Sequence, residues 1–160
     1  MNRSMWVITT IFAFLLLIIT GCGDDEPFVT TKLIESQIYG EIKTYREAAG
    51  KTGPFVQQFI MVKEAQLFSA KMAAGVNDVD TTGIAVHWDI IDDKLWGGYN
   101  QVTLVQSTPD VNPAGIVQAW AENPLTNPVL LGDYTQCGVG VEYDNDQVAY
   151  VTVMMMKVDS

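Results

Sequence analysis

The chain has 160 residues, of which 48% are hydrophobic, and carries 9 Lys and Arg against 19 Asp and Glu, a formal net charge of −10. This composition excludes a disordered chain, a collagen and a coiled coil. The negative charge argues against nucleic acid as a partner and against electrostatic binding to anionic lipid headgroups.

The first residues are typical of a targeting segment. Arg3 precedes an uncharged apolar block over residues 5–20, which is short for a bilayer span. The block ends at Ile19-Thr20-Gly21-Cys22, which resembles the bacterial lipobox. That resemblance implies cleavage between Gly21 and Cys22 and lipidation of Cys22. The alternatives are a plain transmembrane anchor, or a secretory peptide with an incidental cysteine.

This interpretation divides the chain into a lipoprotein signal peptide over residues 1–21, a lipidated tether over residues 22–32 and one domain over residues 33–160. We expect the domain to lie outside the cytoplasm, held on a bacterial membrane by the lipid on Cys22. Gly23, rather than an aspartate, follows the cysteine. By resemblance this favours the outer membrane if the cell has two membranes.

Apolar spacing predicts two helices at the start of the domain. Ile34, Ile38 and Ile42 recur at intervals of four over residues 33–49, and Gly50 ends the pattern. A second periodic stretch covers residues 56–74 and ends at Gly75. Each stretch therefore predicts an amphipathic helix.

The middle of the domain alternates between shorter elements. We expect a short strand over residues 84–87 and a strand over residues 99–106, with residues 89–94 ambiguous. Asn112-Pro113 supplies an N-cap and a first-turn proline for a helix that Pro124 ends.

Two strands, over residues 137–143 and 147–158, form a predicted hairpin at the end of the chain. The last strand is apolar on both faces, so it should lie centrally in a sheet covered on both sides. Cys137, Val139 and Val141 should share one face, with the Cys137 thiol buried. Helices followed by antiparallel strands predict an α+β fold built as a layered sandwich.

The ordered motifs resemble the CAP superfamily, whose members carry the SCP domain. The similarity includes Arg46 in the first predicted helix, with Gly50 directly after that helix. A more specific pattern lies near the end of the chain. That pattern runs from Trp120 through Pro124 to Tyr134-Thr135 and then Gly138-Val139-Gly140-Val141. The resemblance implies a three-layer α-β-α sandwich with an antiparallel central sheet.

The departures from the family matter for function. Metal-competent members present two histidines and two acids in a cleft. By resemblance, His87 occupies the first histidine position, Tyr99-Asn100 stands where Glu-Asn is expected, and Thr126 replaces the second histidine. We therefore expect no metal and no cofactor. The candidate cleft residues are His87, Trp88, Trp96, Tyr99, Asn100 and Thr126.

The sequence offers little for catalysis, and we predict no catalytic residue. A serine hydrolase would have to pair His87, the one histidine of the chain, with Ser36, Ser69 or Ser107, and none of these serines lies on a nucleophile elbow. The leading hypothesis is a non-catalytic, lipid-anchored domain that binds a ligand or protein partner at the cell envelope. The alternatives are a lipid or sterol carrier and a weak metal-dependent hydrolase with a rearranged site.

Overall fold

The computed structural model describes residues 30–159. The predicted signal peptide, including Gly21 and Cys22, and most of the predicted tether lie outside this range. The described elements, in chain order, are α1 (Leu33–Ala48), β1 (Val56–Gln57), α2 (Phe59–Ala73), α3 (Ala85–Lys94), β2 (Gly98–Thr108), α4 (Pro113–Glu122), α5 (Asn127–Leu130), β3 (Gln136–Tyr143) and β4 (Ala149–Val158).

The four strands form one sheet in the order β1-β3-β4-β2. β4 lies between β3 and β2 and is antiparallel to both, which confirms the predicted hairpin and the central position of the last strand. The sheet is nevertheless mixed, not purely antiparallel, because the short β1 runs parallel to β3.

Helices cover both faces of the sheet. Alternate residues of β4 enter two hydrophobic clusters: Val151, Val153 and Met155 pack with residues of α1, α4 and α5. Met154 and Met156 pack on the other face with residues of α2 and α3. The α+β class and the three-layer α-β-α sandwich are therefore confirmed.

Two glycines of β3 lie where this strand packs closely against α2. Cys137, Val139 and Val141 face the α1 side, as predicted, and are buried. Gly138 and Gly140 face α2, where an added Cβ would lie 2.2 Å from the backbone of Met61 or Ala65. These glycines allow helix and sheet to approach closely.

One predicted element and one predicted boundary are wrong. The expected strand over residues 84–87 is the start of helix α3, in which His87, Trp88 and Ile91 form one buried face at helical spacing. The second helix begins at Phe59 rather than residue 56, since the backbone of Val56 and Gln58 bonds to Thr135 and Cys137 across the sheet. Pairing with a distant strand overrides the local pattern here.

Candidate functional site

The imidazole of His87 lies in a closed polar cluster between α2 and α3. It is 3% exposed. Its Nδ1 lies 2.7 Å from Oε2 of the buried Glu64, and its Nε2 lies 3.0 Å from Nζ of Lys71. The ring also meets Phe68 edge to face, with the ring centroids 5.4 Å apart. Internal partners therefore occupy both ring nitrogens.

These contacts determine what the His87 cluster can do chemically. The ammonium of Lys71 has only donors, so Nε2 accepts from it and Nδ1 donates to the Glu64 carboxylate in the arrangement that satisfies all three groups. The ammonium also occupies the position at which Nε2 would bind a metal ion, and it repels a cation. The cluster does not fit the family's metal. Across residues 30–159 no group of three or more His, Cys, Asp or Glu side chains could hold a metal ion.

Trp88, the neighbour of His87 on α3, is a core residue and does not line an open cleft. It is 7% exposed and packs against Met154 and Met156 of β4. Its indole Nε1 donates to Oγ1 of Thr103 at 3.1 Å, so its polar group is satisfied inside the fold. Trp88 therefore supports the sheet rather than a ligand site.

Trp96 and Tyr99 lie at the surface, beyond the end of α3. The Trp96 side chain is 85% exposed, and its Nε1 donates to the carbonyl of Asp93 at 3.1 Å. The Tyr99 hydroxyl donates to the Asp159 carboxylate at 2.7 Å. Val86 and Ile90, one helical turn apart on α3, are also exposed. We call Val86, Ile90, Trp96 and Tyr99 the α3 surface.

Asn100 lies next to this surface, where the pairing of β2 with β4 shifts register between Tyr99 and Val102. Its φ of 54° is in the left-handed region, which asparagine tolerates better than most residues. Asn100 is exposed. It thus marks a bulge at the start of β2.

Thr126 lies on the other side of the molecule. It precedes α5, and its Oγ1 donates to the carbonyl of Trp120 at 2.6 Å. Trp120 and Leu130 belong to the cluster on the α1 face of the sheet, opposite His87. Trp96, Tyr99 and Asn100 are therefore exposed at nearby positions of the chain, whereas Thr126 lies on the opposite face of the sheet and His87 is buried.

Glu64, which bonds to His87, is not among the residues predicted from the sequence. Glu64 is fully enclosed in α2 together with Met61 and Phe68, which lie three residues before and four residues after it. A charged residue at a core position of an amphipathic helix is the signal that could have found it, because such a group needs a buried partner.

Two other groups considered for chemistry are structural. Ser69 is fully buried and its hydroxyl bonds to the Gly140 carbonyl and to Thr152. Cys137 is a buried free thiol, as predicted, and burial raises its pKa well above the usual range. Neither group is placed to act as a nucleophile.

Comparison with known proteins supports the fold without a sequence match. No protein-family model matches the chain, and a search of curated proteins finds no significant match. Among solved structures, an outer surface protein of Borrelia burgdorferi is similar with a TM-score of 0.68 and 17% identity, over 82% of this chain and 97% of that protein.

Two further solved structures carry the fold assignment. A cysteine-rich secretory protein of Staphylococcus aureus matches with a TM-score of 0.62 and 14% identity, over 78% of this chain and 38% of that protein. An extracellular protein of Bacillus anthracis that contains an SCP domain matches with a TM-score of 0.60 and 14% identity, over 78% of this chain and 40% of that protein. This chain therefore spans less than half the length of these two proteins. The fold of this chain is therefore similar to that of a protein that contains an SCP domain.

Proposed function

We propose that this protein is a lipid-anchored, extracytoplasmic lipoprotein whose CAP-like domain binds a protein partner at the cell envelope and catalyses no reaction. The lipobox-like segment ending at Cys22 supports the anchor. The location is supported by the solved structures of similar fold, which are described as an outer surface protein, a secretory protein and an extracellular protein.

The observation that carries the binding role is the α3 surface. Trp96 is 85% exposed although indole is among the largest apolar side chains. Val86, Ile90 and Tyr99 are exposed beside the same helix or just beyond its end. Several exposed aromatic and aliphatic side chains within one short segment of the chain favour a binding surface, where aromatic residues carry much of the contact energy.

Charge around the α3 surface indicates the chemistry of the partner. Asp89, Asp92 and Asp93 are exposed on α3, where Lys94 is the one basic residue, and Lys157 lies 5.9 Å from the ring centroid of Tyr99. A partner surface that combines apolar residues with Lys or Arg would complement this arrangement in both shape and sign. We therefore propose a basic protein surface as the occupant.

Site-specific photo-crosslinking in intact cells tests this role. A photoreactive phenylalanine analogue replaces Trp96 in one variant, and Leu125 in a matched control. Leu125 is a suitable control because it is 81% exposed and lies between α4 and α5, on the opposite layer. We expect a discrete crosslinked product at position 96 that is absent at position 125.

Reversing the charge of Asp89 distinguishes specific binding from non-specific adsorption. The Asp89→Lys change should weaken the crosslink at position 96 because it repels a basic partner. Equal crosslinking at both positions, or a product at position 96 that survives Asp89→Lys unchanged, would contradict the proposed surface.

The non-catalytic part of the proposal is supported by the His87 cluster, in which Glu64 and Lys71 occupy both imidazole nitrogens. Elemental analysis of protein purified without a metal-affinity tag tests the hydrolase alternative. One zinc ion per chain would overturn this part of the proposal and leave the binding surface unaffected.

A further inference from the structure

A cavity of about 250 Å³ opens between the end of α1 and the loop that leads into β3. Three basic residues, Arg46, Lys51 and Lys157, line it together with one acidic residue, Asp133. The wall therefore has a local excess of two positive charges in a chain whose formal net charge is −10. We call it the Arg46 cavity.

Arg46 supplies a fixed positive charge behind this cavity. Its side chain is 4% exposed. Its terminal nitrogens donate to the carbonyls of Leu130, Gly132 and Tyr134, and its guanidinium lies 4.4 Å from the centroid of the Phe55 ring. Its Nε has no hydrogen-bond partner within residues 30–159. None of these direct contacts is an anion, and the Asp133 carboxylate acts on Arg46 only through its charge.

The other two cations, Lys51 and Lys157, lie in the wall of the cavity. The ammonium of Lys157 pairs with the Asp133 carboxylate, and their side chains are 25% and 68% exposed. Lys51 follows the last turn of α1 and forms no ion pair with any described carboxylate. The Lys157 hydrogen bond lowers the pKa of Asp133, and Lys51 and Arg46 also lower it through their charges. All three cations therefore stabilise the negative charge of the Asp133 carboxylate.

We infer that the Arg46 cavity binds a phosphate group. Lys51 and Lys157 would contact the phosphate oxygens, and the guanidinium of Arg46 would stabilise the anion from behind. A phosphate monoester is close to dianionic at neutral pH, so it matches the excess of two positive charges better than a carboxylate does. The phosphate could come from a soluble compound or from a lipid headgroup. This inference does not depend on the partner surface proposed for α3.

Isothermal titration calorimetry with inorganic phosphate tests the site, with the full chain in nonionic detergent at low ionic strength. We expect one saturable site. Lys51→Gln and Lys157→Gln should each weaken it about tenfold, because each removes a charge-assisted hydrogen bond. Asp133→Asn should strengthen binding, because it removes the one carboxylate that repels the phosphate. Absence of a saturable signal, or unchanged affinity in both lysine variants, would overturn the inference.

The matched controls are Lys94→Gln and Asp93→Asn. These residues form an ion pair of 3.7 Å on α3 and do not line the cavity, and their substitution changes the net charge by the same amounts. We expect neither control to alter phosphate affinity. If Lys94→Gln weakens binding as much as Lys51→Gln, the attraction is a general charge effect and the cavity is not a site. Thermal melts establish that every variant is folded.

A second arm identifies the source of the phosphate. The full chain is inserted into phosphatidylcholine vesicles with or without phosphatidic acid, and the phosphate titration is repeated. If phosphatidic acid suppresses the titration, lipid headgroups occupy the cavity. An unchanged titration assigns it to a soluble phosphate compound. Failure of phosphate to bind in both vesicles and detergent rejects the site while leaving the α3 crosslink untouched.

Discussion

Trp88 and Trp96 differ in their surroundings although they lie near each other in sequence. Trp88 fills space against Met154 and Met156. We expect Trp88→Ala to lower the free energy of unfolding by about 3–5 kcal/mol, since it leaves a cavity in the core. Trp96→Ala should change it by less than about 0.5 kcal/mol, because the indole is mostly in solvent. Denaturant unfolding measures both, and similar losses would contradict the assignment of Trp96 to the surface.

The buried pair of Glu64 and His87 permits a second prediction. Glu64→Ala removes the acceptor for His87 Nδ1 in a site closed to water. The free energy of unfolding should fall by about 3 kcal/mol. Glu64→Gln keeps an oxygen acceptor of nearly the same shape and should cost clearly less. Chemical denaturation compares the two variants, and equal losses would show that the hydrogen bond is not what Glu64 contributes.

Packing of α2 on β3 is the contact most sensitive to side-chain volume. An alanine at Gly140 would place its Cβ 2.2 Å from the backbone of Ala65 and Gln66. We expect Gly140→Ala to destabilise the protein by about 1–3 kcal/mol through overpacking. Thermal unfolding measures the change.

Gly40 offers the matched control for this substitution. It lies within α1, and an added Cβ would have no atom within 4 Å. Gly40→Ala should therefore stabilise the protein by about 0.5–1 kcal/mol, since alanine favours helix more than glycine. If both alanines change the stability in the same direction, close approach is not what requires Gly140.

Elements with a strong local pattern were predicted well. α1, α4 and the hairpin of β3 and β4 lie within one or two residues of their predicted bounds. The failure at residues 84–87 has a physical reason: four residues are too few to separate a strand from the first turn of a helix. The short apolar run of Ile84, Ala85 and Val86 fits a strand as well as a helix, and only Trp88 and Ile91 complete the helical face.

At the scale of the whole molecule, the start of α1 connects the proposed anchor to the domain. Glu35 Oε1 accepts from the Val141 amide at 3.0 Å, and Lys32 Nζ donates to the Val141 carbonyl at 2.6 Å. Lys32 also pairs with Glu142. The proposed tether therefore ends at Lys32, whose side chain bonds to Val141 and Glu142 of β3. No helix within residues 30–159 combines the length and hydropathy needed to cross a membrane.

The proposed lipid anchor can be tested by substitution of Cys22. Cys22→Ala removes the thiol that the lipobox-like motif would acylate, so the chain should lose labelling by a radioactive fatty acid and leave the membrane fraction. Cys137→Ala is the matched control and should keep both properties, because Cys137 is buried in β3. Retention of label in the Cys22→Ala variant would reject lipidation at this cysteine.

Hydrophobic periodicity is a local property of the chain, and it was enough to predict the layered α+β fold and the central position of β4. Motif spacing, which is also local, carried the resemblance to the CAP superfamily. Which of the candidate site residues lie near one another depends on the tertiary structure. His87 is buried against Glu64, and Thr126 lies in the opposite layer. Arg46, Lys51 and Lys157 line one cavity. Such groupings join residues distant in sequence, and only the packing of helices on the sheet determines which of them meet.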